Sequence, residues 1–137
     1  MKFICSLLLF ILVFLSSSAK SISEDFDFFL SQFATDSVFQ LERTLFPLKY
    51  ITWKDSNEIG GEIVIENIQK DEWIHDFFFF DKMSYRPQIS DNFNGKLRNT
   101  NKRLFEWIGI ENGVSVKYFF KRIKGNWFLI KKENLGD

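Results

Sequence analysis

The residues of this chain that could carry chemistry are few and mostly stand apart. His75 is the single histidine; Asp76 follows it, and Asp71 and Glu72 lie just before. A histidine among carboxylates is the grouping of a general base with an orienting acid. The spacing argues against it, because strand neighbours point to opposite faces and helix neighbours diverge by about 100°. The plainer expectation is an exposed or capping histidine at the end of a short helix. Glu106 stands between Phe105 and Trp107. Facing a concave apolar side, it would be desolvated, its pKa would rise, and it would be the acid/base candidate. Facing outward, it is simply solvated. Both faces of "KRLFEWIGI" hold large apolar residues, so alternation leaves the two open.

Arg43 could grip an anion through its planar fork, but its neighbours "DSVFQ" and "FPL" read as packing segments. Trp53, Trp107 and Tyr118 are amphipathic aromatics of the kind that wall an apolar pocket. Tyr118 and Trp107 are the preferred pair, since the pattern sets them on adjacent strands. Glu106, Trp107, Tyr118, Trp53, His75 and Arg43 are therefore the candidate pocket residues; core filling and solvated surface compete with each.

Other chemistries are excluded by composition. Cys5 is the only cysteine. It lies inside an amino-terminal segment with Lys2, an apolar run Ile4 to Leu15, and small residues at Ser17 and Ala19. That is the pattern of a cleaved export signal, with cleavage expected between Ala19 and Lys20. The run is too short to span a bilayer, which takes about 20 apolar residues. Residues 20–137 would then form one domain without disulfide, thiol nucleophile or thiolate metal ligand. A single histidine rules out His-rich metal sites within the chain. No glycine-rich phosphate loop or G-x-S-x-G elbow occurs, and no cofactor is expected. The 18 basic residues balance the 18 acidic ones, so nothing favours nucleic acid, whose binding rests on phosphate neutralisation.

The elements that must position these residues follow from periodicity. Phe26, Phe29, Leu30 and Phe33 fall on one face of a helix, with Ser21 and Glu24 at capping-box spacing. Asp36 is a plausible cap for a second short helix that turns Val38, Phe39 and Leu41 inward and ends before Phe46-Pro47. A strand from Leu48, the turn "DSNEIGG" and the strand "EIVIE", with one acidic face, form a hairpin. "QKDEWIHD" is a short helical turn. "FFFF", residues 77–80, reads as a strand covered on both faces. A loop with Pro87 and Gly95 follows. "KRLFEWIGI", "VSVKYFFKRI" and "WFLIKK", joined by Asn-Gly and Gly-Asn turns, make an antiparallel meander. Lys117, Lys121, Arg122, Lys124, Lys131 and Lys132 form a basic cluster there. An anionic glycan or lipid surface could meet it, though such charge is more often a solvated sheet face.

The fold class expected is α+β, with helices on one face of a curved antiparallel sheet. The order of elements resembles the nuclear transport factor 2-like fold, a cystatin-like cone of sheet around helices. "FDFFLSQFATDSVFQLERTLFPL" is similar to the opening of the bacterial family called domain of unknown function 4348. The matching elements are Phe26, Phe29, Phe33, Asp36-Ser37, Phe39-Gln40, Arg43 and Phe46-Pro47-Leu48. "DEWIHDFFFFD" and "GNWFLIK" continue the likeness. The resemblance implies an exported bacterial protein of this fold and transfers no catalytic residue. Related domains often keep a pocket between helices and sheet and often dimerise through the open sheet face, which implies a homodimer. Fold does not decide function. The expectation is an exported, non-catalytic domain that binds a small molecule or a protein. The alternative is a cofactor-free isomerase or hydro-lyase using Glu106 or His75 with Tyr118.

Overall fold

The computed structural model describes residues 22–55, 61–78, 83–91, 93–96 and 100–136. The expected signal segment and cleavage site, most of the "DSNEIGG" turn, and Phe79 and Phe80 lie outside the described residues.

Helix α1 (Phe26–Thr35) starts at Asp25, whose side chain accepts the Phe28 N–H. Asp25, rather than a Ser21–Glu24 box, is the cap; Ser21 lies outside the described residues, and Glu24 is engaged elsewhere. Phe26, Phe29 and Phe33 form the buried stripe that the spacing predicts. Asp36 closes α1 and opens α2 (Ser37–Glu42), accepting from the Val38 and Phe39 N–H groups. That cap sets the rotation of α2 so that Gln40, not Val38, is its buried residue; Val38 is exposed.

Six strands follow: β1 (Thr44–Lys54), β2 (Glu62–Ile68), β3 (Tyr85–Ser90), β4 (Lys102–Gly109), β5 (Ser115–Ile123) and β6 (Asn126–Asn134). They form one sheet in the order β2-β1-β6-β5-β4-β3. The β1–β2 hairpin and the β4-β5-β6 meander are as expected. The expectation of a wholly antiparallel sheet is corrected: β1 pairs with β6 in parallel, Tyr50 opposite Lys132. No turn joins these two strands, so no turn dictates their relative direction.

Three local readings also change. The Pro87 segment is strand β3, not loop; it is an edge strand pairing only with β4, where a missing N–H is tolerated. Phe77 and Phe78 are irregular chain, Phe78 buried and Phe77 exposed. On β2, Ile63 and Ile65 face out, each 58% exposed, while Ile68 packs against the core. The reason is register. Leu48 is fully buried and pairs with Ile68, and Tyr50 pairs with Glu66, so the alternate face of β2 turns to the helices.

The core lies between α1 and the meander. Phe120 is fully buried, and its ring meets Phe26, Phe29 and Phe33 at centroid distances of 5.6, 5.5 and 5.3 Å. All three contacts are edge-on, the arrangement that aromatic quadrupoles favour. Bulges near Phe119 of β5 and between Thr44 and Lys49 of β1 interrupt the ladders, and bulges bend strands. Phe120→Ala removes the ring shared by all of α1. It is expected to cost about 4 kcal/mol in urea unfolding, a large part of a small domain's stability. A loss below about 1 kcal/mol would show that α1 does not depend on it.

Candidate functional site

Clefts of different chemistry line the helix-facing side of the sheet, and the rings of Phe78, Phe105 and Tyr118 lie between the first two. Phe78 lies 4.6 Å from the Tyr118 ring and 5.2 Å from Phe105.

The first cleft, about 330 Å³, is lined by Tyr50, Ile68, Trp73, His75, Asp76 and Lys132 among others. A 3₁₀ turn, Lys70–Glu72, leads into this segment; Glu72 Oε2 accepts from the Gln69 N–H at 2.8 Å, and the Glu72 N–H donates to the Gln69 carbonyl at 3.1 Å. Gln40 then fixes the segment to α2. Its Nε2 donates to the carbonyls of Phe33 and Asp76, each at 2.9 Å. Its Oε1 accepts from the Asp76 N–H at 2.7 Å and the Trp73 indole N–H at 3.2 Å. A buried amide with four partners is fully satisfied.

With its backbone held there, Asp76 points its carboxylate at the sheet. Oδ2 accepts from the Tyr118 hydroxyl at 3.0 Å and also from the Lys132 ammonium. Lys132 in turn lies 5.2 Å from the Tyr118 ring centroid and 5.6 Å from that of Tyr50. Burial, then the charge of Asp76, the hydrogen bond to it and the neighbouring Tyr50 push the Tyr118 phenol far above its ordinary pKa of 10.0. Chemically, this is a neutralised carboxylate with a phenol held protonated. His75 packs its ring 4.5 Å from Phe77, and its buried Nε2 has no hydrogen-bond partner among the described residues.

The second cleft, about 410 Å³, opens between α1 and the β3–β4 edge. Leu30, Ala34, Phe78, Pro87, Phe105 and Trp107 form its apolar walls, with Asp27 and Ser31 also on its lining. Phe105 and Trp107 alternate onto this side of β4 and pack edge-to-face at 5.0 Å.

The structure therefore brings Tyr118, Trp107 and His75 to the helix-facing side. Trp107 lines the apolar cleft, His75 lines the polar one, and Tyr118 sits beneath Asp76. Glu106 points the other way. Its Oε1 accepts from the Ser115 hydroxyl at 2.8 Å and faces Lys117 Nζ at 3.7 Å, on the face without helices. Trp53 is at the far end of the β1–β2 hairpin, half-exposed and against Gly61, where even a Cβ would meet its indole at 2.3 Å. Arg43 pairs with Glu24 at 3.0 Å, donates to the Trp127 carbonyl at 3.3 Å, and stacks 4.8 Å over Phe39. The basic cluster divides: Lys117 and Lys131 pair with Glu106 and Glu133 on the outer face, while Lys132 and Arg122 face the helices.

Sequence reasoning passed over Gln40, Asp76 as partner of Tyr118, and Lys132. In the sequence Asp76 stands out only beside the adjacent His75, and Lys132 only as one of a run of cations. The available signal was the glutamine within Phe39-Gln40, a long polar residue in an otherwise packing segment. Among the described residues no group of three His, Cys, Asp or Glu side chains could hold a metal. None of the described helices is long and apolar enough to cross a membrane.

The family model described as "Domain of unknown function (DUF4348)" matches residues 13–134. The chain belongs to this family. Two segments of the DUF4348 domain, Phe39-Gln40 and "DEWIHD", are thus the ones that Gln40 ties together. An ntf2-like protein from Bacteroides fragilis NCTC 9343, solved by crystallography, is similar with a TM-score of 0.58 and 24% identity. The match covers 82% of this chain and 47% of that one, so the DUF4348 domain spans about half of that protein's length. A protein from Bacteroides uniformis ATCC 8492, solved by NMR, is similar with a TM-score of 0.48 and 20% identity, covering 80% of this chain and 76% of that one. The first likeness gives the nuclear transport factor 2-like fold. No curated protein matches the chain.

The Tyr118 shift has a sign. A phenol whose pKa is raised by folding contributes stability that is fully present below about pH 10 and is lost as pH rises further. Alkaline titration by tyrosinate absorbance is expected to leave Tyr118 un-ionised until the domain unfolds. Tyr118→Phe should leave the titration of the folded protein near pH 10 unchanged; a smaller tyrosinate rise in that variant would disprove the arrangement.

Proposed function

We propose that this chain is an exported, non-catalytic binding domain that takes an apolar small molecule between α1 and the β3–β4 edge. The observation that carries the reading is the second cleft. Its volume of about 410 Å³ and its apolar walls with few polar groups suit a small-molecule site. Trp107 is at its wall and Ala34 lines it from α1. The export part rests on the amino-terminal pattern of Lys2, the apolar run and Ser17-x-Ala19.

The isomerase or hydro-lyase reading has less support. Glu106 faces away from both clefts. Asp76, the carboxylate nearest Tyr118, is neutralised by Lys132. His75 retains an unpartnered nitrogen among the described residues, but its ring is turned onto Phe77 and not onto Asp76.

Nile red, a neutral apolar probe, is expected to bind with enhanced emission and to accept energy from tryptophan. Ala34→Trp, which fills the cleft, should abolish binding while preserving the circular dichroism of the fold. Equal Nile red binding by wild type and Ala34→Trp would remove this cleft as the site. For export, Edman sequencing of protein recovered outside the cytoplasmic membrane is expected to begin at Lys20. Recovery only of Met1-initiated protein in the cytoplasm would reject that part.

A further inference from the structure

The apolar cleft does not end in apolar surface. Asp27 and Ile89 also line a neighbouring cleft of about 370 Å³, whose wall includes Arg103 and Arg122. Register explains the adjacency. Arg103, Phe105 and Trp107 alternate onto one face of β4, so the guanidinium end lies about 13 Å along the strand from Trp107 at ~3.3 Å per residue. Arg103 is paired with Phe120, and Arg122 with Trp127, so both arginines share one end of that face.

Both guanidiniums are held by stacking. Arg122 lies 4.5 Å from the Trp127 ring centroid and Arg103 lies 5.2 Å from it; Arg103 is also 5.7 Å from Phe26. Their hydrogen bonds are to neutral acceptors. Arg103 Nη1 donates to the carbonyls of Thr100 and Lys102, each at 2.8 Å, and Arg122 Nη1 to Asn101 Oδ1 at 3.4 Å. The Arg122 Nε–H is buried without a partner, and neither arginine is ion-paired, among the described residues. The carboxylates on the same wall are otherwise engaged or wet. Glu24 holds Arg43 and the Trp127 N–H, Asp25 caps α1, and Asp27 is exposed and screened by water.

We propose that the two clefts form one amphipathic site for an alkyl carboxylate, with the tail against Phe105 and Trp107 and the head between Arg103 and Arg122. A planar carboxylate matches the guanidinium fork, and stacked arginines lose little freedom in binding it. The inference rests on the apolar-cleft reading and adds the charge of the ligand.

The test is isothermal titration with decanoate and with decanol, which share a tail and differ in the head. Decanoate is expected to bind wild type about tenfold tighter or more, the worth of one charge-assisted hydrogen bond. Arg122→Gln and Arg103→Gln should each remove most of that preference and leave decanol affinity unchanged. Ala34→Trp should remove both ligands. Equal affinity of wild type for the two overturns the carboxylate site and leaves the apolar reading standing; no binding of either overturns both. The wild-type comparison needs no variant, so a substitution that unfolds the domain does not remove the test. A preference for decanoate that survives Arg103→Gln/Arg122→Gln in a folded protein also overturns the assignment.

Discussion

Phe120 is the ring on which the rest of the molecule depends. It stands mid-way along β5 with no exposed surface, and each of the three inward phenylalanines of α1 meets its face or edge. Dispersion between individual atoms is weak, but rings buried on all sides make many such contacts at once. The chain has 18 phenylalanines and one cysteine, so aromatic packing supplies the cohesion that cross-links supply in small disulfide-linked domains. Because α1 is fixed to the sheet at Phe120, the space beside that contact is defined, and the apolar cleft, walled by Leu30 and Ala34 of α1, is part of it.

The polar centre is the second constraint. Segment 73–78 contains no regular element, yet it is not loose, because Gln40 satisfies the backbone of Asp76 on both its N–H and C=O. Only with that backbone held can the Asp76 side chain reach Tyr118 and Lys132. Lys132 in turn lies between β1 and β5, so one short network links α2, the irregular segment and three strands. A buried carboxylate without its counter-ion is costly, whereas one paired and hydrogen-bonded is tolerated. The centre therefore reads as a clamp that fixes the irregular segment to α2 and to the sheet. The apolar cleft, whose walls demand no such pairing, is left for a ligand.

Charge is sorted by face. On the outer side, Glu106 with Lys117 and Lys131 with Glu133 form neutral pairs along the central strands. On the helix side, Lys132 is neutralised by Asp76, while Arg103 and Arg122 are held by aromatic stacking and neutral acceptors. Arg103 and Arg122, without an ion-pair partner among the described residues, lie beside the apolar cleft.

Much of this was legible in the residues alone. The i, i+3, i+7 spacing of Phe26, Phe29 and Phe33 determines their helical stripe, and Asp36 as a cap separates α1 from α2. The alternation of Val116, Tyr118 and Phe120 with turns on either side determines the meander. Such patterns are encoded over a few residues, where backbone period and side-chain direction are locked together. Three things were decided only by tertiary structure. The first is the parallel docking of β1 on β6, which no local turn specifies. The second is the side of β4 to which Glu106 points, since apolar residues occupy both. The third is the meeting of Asp76 with Lys132 and Tyr118, 56 and 42 residues away along the chain. Contacts at that separation depend on how the whole sheet packs against α1, and a window of neighbouring residues carries no record of it.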